Sequence, residues 1–219
     1  MTTRIITVCN QKGGVGKTQS VGELATVCAA TGKRVLAIDA DSTQGSLGAW
    51  VGQVGKDATD FDIALLTDPS DLDGIREIAE GYDLVFIDTP GSRAQNDLVD
   101  AFLRVSDFVL VTTETDGMSL EPADRYIDEL VAPAGKPYAV LLTKWDARRP
   151  RKEARARAFF EEVDKPVFKS VIRSYSAFAD AYEDGVFVTS SPRRTVTAHN
   201  AASDYSKAAV ELLSAIATL

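Results

Sequence analysis

Between Asn10 and Thr18 the chain reads Asn-Gln-Lys-Gly-Gly-Val-Gly-Lys-Thr, which places three glycines, two lysines and a hydroxyl in one short stretch. An apolar β-rich run, Arg4–Cys9, precedes it, and a helical pattern over Lys17–Ala30 follows at once. A strand, a glycine-rich turn and a helix N-terminus gather backbone N–H groups around one point, with the positive end of the helix dipole behind them. That arrangement favours phosphate. Gly13, Gly14 and Gly16 let the backbone turn and approach the anion, and Val15 and Gln19 complete the loop. Lys17 can reach the β- and γ-phosphates, and the Thr18 hydroxyl can ligate Mg2+. The ordinary G-x-x-x-x-G-K-[ST] pattern is not met, because Gln11 stands where its first glycine would be. What stands here is K-G-G-x-G-K-T, with an additional lysine, Lys12, at the mouth of the loop.

Three aspartates extend the site. Asp39 follows the apolar run VLAI, and Asp88 follows LVFI in LVFIDTPGS. Both therefore fall at C-terminal strand ends, where open α/β sheets bind ligands. Each is a candidate Mg2+ ligand, directly or through water, and Asp88 fits the second nucleotide-binding motif of P-loop proteins. Asp41, two residues beyond Asp39, is placed to contact an attacking water. Aspartate at a strand end more commonly caps a helix or forms a turn. Beside a phosphate loop that ordinary use is the weaker explanation for Asp39 and Asp88.

These residues need a scaffold. Strand candidates are Arg4–Cys9, Arg34–Ile38, Phe61–Leu66, Leu84–Ile87, Phe108–Thr112, Ala139–Thr143 and Val167–Ile172. Several are near-continuous apolar runs, the pattern of a parallel sheet covered on both faces. Helical patterns alternate with them at Lys17–Ala30, Asp71–Glu80, Asn96–Val105, Glu121–Val131, Arg151–Val163 and Ser176–Glu183, with a last helix over about Asn200–Ala217. The alternation predicts an α/β fold, a single doubly wound and mostly parallel sheet flanked by helices, over one domain spanning 1–219.

Composition is that of an ordinary globular chain: 219 residues, 45 % apolar and 26 % charged. Neither Cys9 nor Cys28 belongs to a C-x-x-C pair, which argues against a metal cluster or a disulfide framework. No stretch approaches the roughly 18 apolar residues of a membrane span, and the N-terminus lacks a secretory pattern. The expectation is a cytoplasmic protein without a stable membrane anchor. The net charge of −8 does not advertise nucleic-acid binding, yet Ala147–Arg157 carries six basic residues against Glu153 alone.

Taken together, KGGVGKT, DADSTQGSLGAW, LVFIDTPGS and LLTKWDARR resemble the ParA/MinD family of deviant Walker ATPases over nearly the whole chain. The short length, with no N-terminal DNA-reading extension, looks most like the small ParA (ParF-like) partition ATPases. The resemblance implies ATP and Mg2+ as cofactors and a homodimer with ATP sandwiched between subunits. It implies that Lys12 reaches the partner's nucleotide and that Asp41 orients the hydrolytic water, with Asp39 and Asp88 at the magnesium site. It also implies non-specific DNA binding in the ATP state, hence association with the nucleoid, and a ParB-type partner that stimulates a slow intrinsic hydrolysis. The chain departs from the family's D-x-D-P-Q, reading Asp39-Ala40-Asp41-Ser42-Thr43-Gln44-Gly45.

Arg148, Arg149, Arg151, Lys152 and Arg155, with Arg173, are the candidate DNA contacts, and Arg193 and Arg194 are secondary ones; a solvated helix face is the competing explanation. Thr143 and Lys144 end an apolar strand in the region from which the family approaches the base. His199 reads as a surface residue, and Trp50 and Trp145 read as packing. The final helix presents Tyr205, Ala209, Leu212, Leu213 and Ile216 on one face, and it lacks the Lys- and Arg-rich polar face of a membrane-surface helix. The leading expectation is a DNA-partition ATPase. The alternative is a positioning ATPase of the same family with another cargo, such as a protein complex, a membrane site or DNA-transfer machinery. Lys12 argues against a metabolic ligase, which has no use for a second lysine there.

Overall fold

Apolar, β-branched runs form the centre of the molecule. The computed structural model describes residues 3–41, 46–54, 59–66, 68, 72, 74–192 and 195–219. Its strands are β1 (Arg4–Cys9), β2 (Val35–Asp39), β3 (Asp62–Leu65), β4 (Leu84–Asp88), β5 (Phe108–Glu114), β6 (Tyr138–Trp145) and β7 (Val167–Arg173). They form one parallel sheet in the order β3-β2-β4-β1-β5-β6-β7. This is the doubly wound sheet expected. The chain works outward from β1 to one edge and then returns through β4 before filling the other side, so β1 lies at the reversal of strand order.

The helices are α1 (Lys17–Ala30), α2 (Ser46–Val54), α3 (Ile75–Ile78), α4 (Asn96–Val105), α5 (Gly117–Tyr126), α6 (Pro150–Glu162), α7 (Ala177–Glu183) and α8 (Val196–Ile216). Alternate residues of β1 separate the two layers. Ile6 and Val8 face the core built with α1, α2 and α8, whereas Ile5 and Cys9 face α3 to α6. At about 25 cal/mol per Å2, burial of such apolar side chains on both faces is what holds the layers together.

Four elements differ most from the sequence expectation; one is α8, which starts at Val196, four residues before the expected Asn200, with Thr195 accepting the Ala198 N–H as its cap. α2 was not expected as a helix, because Gly48 and Gly52 lower its propensity. It packs through Leu47, Trp50 and Val51 instead. α5 begins earlier than Glu121, capped by Asp116, whose side chain accepts from the Met118 N–H. Pro122 lies inside α5, and the helix widens to a π turn over Ile127–Val131. α3 is only Ile75–Ile78, and part of the expected Asp71–Glu80 lies outside the described residues.

The open edge at β7 is closed by side chains. Glu211 accepts the N–H groups of Lys169 and Ser170 at 2.7 and 2.9 Å. Arg157, paired with Glu153, donates to the carbonyls of Phe168 and Lys169. With its donors and acceptors engaged, this stretch offers little to an incoming strand.

Candidate functional site: the phosphate loop and its surroundings

The loop between β1 and α1 is anchored from two sides. Asn10, buried at the end of β1, donates through Nδ2 to the Thr112 carbonyl at 2.7 Å and accepts the Lys12 N–H at 3.0 Å. From β6, the Thr143 hydroxyl lies 2.9 Å from the Val15 carbonyl and 3.1 Å from that of Thr113. Gly14 and Gly16 take φ of 76° and 83°, the left-handed region that favours glycine. Gly16 is the residue from which α1 starts, so the turn opens straight into the helix N-terminus.

Lys17, Thr18 and Asp88 meet at the floor. The Thr18 hydroxyl donates to Asp88 Oδ2 at 2.6 Å. Asp88 Oδ1 is buried and, among the described residues, has no hydrogen-bond partner. Burial pushes the Asp88 carboxyl up to about 7, with Asp39 and Asp41 adding to the shift and Thr18 and Lys17 opposing it. A buried, unsatisfied carboxylate oxygen beside a hydroxyl and a lysine fits a site for Mg2+. Among the described residues no group of three or more His, Cys, Asp or Glu could hold a metal by itself. Mg2+ commonly takes one or two protein oxygens and completes its shell with phosphates and water, so the sparse donor set suits it. Burial also lowers the Lys17 pKa, against Asp88, Cys9 and Asp41.

The neighbouring aspartates have different duties. Asp39 pairs with Asp88 in the β2–β4 register, and both are buried. Its Oδ1 accepts the Asp41 N–H at 3.1 Å and its Oδ2 accepts the Gly48 N–H at 2.8 Å. Both oxygens thus shape the connection from β2 to α2, where sequence reasoning placed a magnesium ligand. Asp41 lines the cavity in front of the loop, while residues 42–45, where the chain departs from the family pattern, lie outside the described residues.

That cavity, about 450 Å3, is lined by the loop glycines, Lys17, Thr18 and Gln19 on one side and by Asp41, Trp50, Thr89, Gly91, Lys144 and Tyr182 on the others. A second cavity of about 250 Å3 continues past Gly16, Gln19, Thr143 and Lys144 toward Tyr175, Phe178 and Tyr205. Thr143 therefore props the loop from below, and its neighbour Lys144, at φ 51°, reaches over both cavities and pairs with Glu114 at 3.6 Å. Lys12 turns away from these cavities and donates to Ser119.

Three contributors were not found by sequence reasoning. Gly91 leaves room for Lys17, since a Cβ there would stand 3.1 Å from Lys17 Nζ; the glycine of DTPGS was the only available signal. The Tyr205 hydroxyl meets Ser20 Oγ at 3.1 Å and Gln19 Nε2 at 3.3 Å, tying α8 to the first turn of α1. A tyrosine rather than leucine on a buried helix face was its signal. Trp50 is packed as expected, against Phe187 and Tyr182, and it also lines the larger cavity.

The basic segment is less uniform than its sequence. Arg148 and Arg149 both pair with Asp146. Arg149 precedes Pro150, the first residue of α6. Arg151, Lys152 and Arg155 form no ion pair among the described residues, and Arg151 and Arg155 are exposed one turn apart. Arg173 does not join this surface. Its guanidinium is held by Asp204 on α8, at 2.6 Å, and stacks over Tyr175, so the expected DNA contact is a structural ion pair instead. Arg193 and Arg194 lie outside the described residues.

A parallel doubly wound sheet with a lysine and threonine opening the helix after β1, and an aspartate ending the adjacent strand, defines a P-loop nucleotide-binding protein. The model of the CobQ/CobB/MinD/ParA nucleotide-binding domain matches residues 6–188, and the chain belongs to that family, on its ParA/MinD side. The maintenance of carboxysome distribution protein A of Gloeobacter kilaueensis is 35 % identical over 95 % of this chain and 94 % of its own length. The chromosome partitioning protein ParA of Caulobacter vibrioides is 36 % identical, over 43 % of this chain and 36 % of its own length. Among solved structures, the septum site-determining protein MinD of Pyrococcus horikoshii, complexed with Mg-ADP, superposes with a TM-score of 0.77 at 22 % identity, over 96 % of each chain. ATP and Mg2+ are the cofactors of this family, and on its ParA/MinD side the members are P-loop ATPases of the positioning type.

Proposed function

We propose that this chain is a Mg2+-dependent ATPase whose ATP-bound homodimer binds DNA without sequence preference and distributes a protein assembly. The observation that carries the choice of cargo is the 35 % identity to the carboxysome distribution protein over nearly all of both chains. Similarity to the chromosome partitioning ParA covers less than half of this chain. The alternative set beside plasmid partition thus becomes the leading reading. A plasmid or chromosome cargo released by a ParB-type partner is the second, supported by that partial similarity.

In this reading the triphosphate lies along the loop, with Lys17 over its β- and γ-phosphates. Thr18 and Asp88 would hold Mg2+, which would supply positive charge to the phosphates. Asp41 orients that water, and Lys12 serves the partner subunit's nucleotide. The base extends past Gln19 into the smaller cavity, toward Lys144 and Tyr175. Arg151, Lys152 and Arg155 supply phosphate contacts to DNA, which release counterions and need no sequence.

Two measurements test it together. Binding to a non-specific duplex is followed with ATP, ADP and no nucleotide at two salt concentrations, and is expected only with ATP and weaker at high salt. No binding in any state removes DNA as the track. In cells lacking the chain, protein assemblies are expected to cluster while plasmid and chromosome inheritance stays normal. Plasmid loss with evenly spread assemblies would instead establish the second reading.

A further inference from the structure

α8 carries two working faces. Tyr205, Ala208, Ala209, Leu212 and Ile216 are buried in the core. Ser203, Lys207, Val210, Ser214 and Thr218 recur three or four residues apart and share another face, beside β7. Between the two elements lies an open groove of about 780 Å3, larger than either cavity around the phosphate loop. Phe168, stacked on Phe108, and Ala215 belong both to the groove and to the margin of the core. Val210, also in its lining, is 69 % exposed.

The polar groups around this groove narrow what can fill it. Ser206 Oγ donates to the Ala202 carbonyl at 2.9 Å and Thr218 Oγ1 to that of Ala215 at 2.8 Å, so neither hydroxyl proton is left for a visitor. The Glu211 carboxylate is engaged by the N–H groups of Lys169 and Ser170. Lys169 and Lys207 are exposed and form no ion pair among the described residues. On a chain of net charge −8, an apolar groove with two uncompensated cations and its one carboxylate engaged is complementary to an acidic visitor. An added strand is disfavoured, because the β7 edge already gives its N–H groups to Glu211 and its carbonyls to Arg157. A second copy packed face to face would crowd both pairs of lysines into one seam. DNA would meet the lysines and leave the apolar floor unused.

We propose that the groove between α8 and β7 docks a short amphipathic helix of a partner protein, apolar on the face that enters it and acidic along the edges that meet Lys169 and Lys207. Ser203, Ser206 and Ser214 are small, which lets a second helix approach α8 closely. Val210 and Phe168 supply the apolar contact, and the two lysines fix orientation and exclude basic segments. The groove shares no lining residue with the cavities around the phosphate loop, so a docked helix leaves the nucleotide site open and binds with or without ATP. The inference is independent of which cargo the chain distributes.

The test uses the full chain and a displayed library of amphipathic helices about four turns long, apolar on one face and free to carry Glu, Lys, Ser or Gln at its edges. Selected helices are expected to carry Glu at those edges and to bind equally with ATP and without nucleotide. They should bind Val210→Asp and Ser214→Arg roughly 10-fold or more weakly, as for residues at the centre of an interface. Both positions are exposed, so both variants should keep the thermal midpoint and ATP hydrolysis of the unaltered chain. On the double variant Lys169→Glu, Lys207→Glu the selection should turn from Glu to Lys. In cells, a photo-crosslinker in place of Val210 should join a partner peptide of the acidic amphipathic pattern. No enriched helix, helices indifferent to both groove variants, or no preference for acid overturns the proposal. Weaker duplex binding by the charge-reversed chain with unchanged helix affinity would assign the surface to nucleic acid. Nucleotide-free self-association abolished by Val210→Asp would assign it to a second copy. Either of these, or crosslinks to no partner peptide of that pattern, overturns it as well. If Val210→Asp fails to fold, Ser214→Arg decides alone.

Discussion

Lys17 carries its charge almost buried, in contact range of the turn that follows β4. Gly91 is the residue that permits this, because a Cβ there would approach Lys17 Nζ to 3.1 Å and displace it by a few tenths of an ångström. Misplacement of a positioning group by about 1 Å can cost on the order of 100-fold in rate. Gly91→Ala is accordingly expected to lower steady-state ATP hydrolysis about 10-fold with little change in thermal midpoint. Hydrolysis at the unaltered rate would show that Lys17 does not depend on that space. Lys17→Ala should lose hydrolysis by 100-fold or more, as for other preorganised charges at a phosphoryl group. Lys17, Thr18 and Asp88 were legible in the sequence because their chemistry is tied to strand ends and loop spacing. Gly91 was not, because its role is space for a side chain distant in sequence.

α1 shows how an element is set by what packs against it. Gly22 lies in the middle of that helix, where alanine ordinarily gains about 1 kcal/mol. Here a Cβ would stand 2.2 Å from the Phe187 ring, which also packs on Trp50 and Phe61. Gly22→Ala should therefore destabilise, by about 1–3 kcal/mol and a fall of roughly 2–10 °C in thermal midpoint; a rise would mean that the ring moves aside freely. One residue on, Glu23 is fully buried and accepts from the Val188 N–H and from the Thr189 N–H and hydroxyl. Burial pushes its carboxyl up to about 7 from 4.5, against those three bonds. The folded chain then holds a proton that the unfolded chain has lost between these values. Glu23's contribution to stability falls as pH rises from about 4.5 to about 7 and is level above. The thermal midpoint of the chain, measured against that of Glu23→Gln from pH 5 to 8, should fall relative to the variant as pH rises to about 7, since only the carboxylate loses. Parallel curves would place the Glu23 pKa outside that window. Tyr205 also faces this carboxyl, and burial raises its pKa beyond the range tested.

At the scale of the whole molecule, a chain of net charge −8 has to concentrate its cations to meet DNA. Within the basic segment Arg151, Lys152 and Arg155 on α6 form no ion pair among the described residues, while Arg148 and Arg149 share Asp146, and Arg173 is held by Asp204. Replacing the three by alanine should weaken ATP-dependent duplex binding and reduce the slope of log K against log salt by up to about 2.7, at roughly 0.9 per phosphate contact. An unchanged slope would assign the track to another surface. Arg173→Ala should act differently, lowering thermal stability through the uncompensated Asp204, with no salt-dependent effect on DNA.

By itself the sequence determined the class of fold and the centre of the site. Near-continuous apolar runs specify a buried parallel sheet, and a glycine–lysine–threonine turn between strand and helix specifies a phosphate loop, because both signals are local and periodic. Tertiary structure decided which charges are free. Asp39 shapes the turn to α2, Arg173 joins Asp204, and Lys12 docks on Ser119. Each partner comes from a different element, and a side chain's availability depends on neighbours that only folding brings within hydrogen-bond reach.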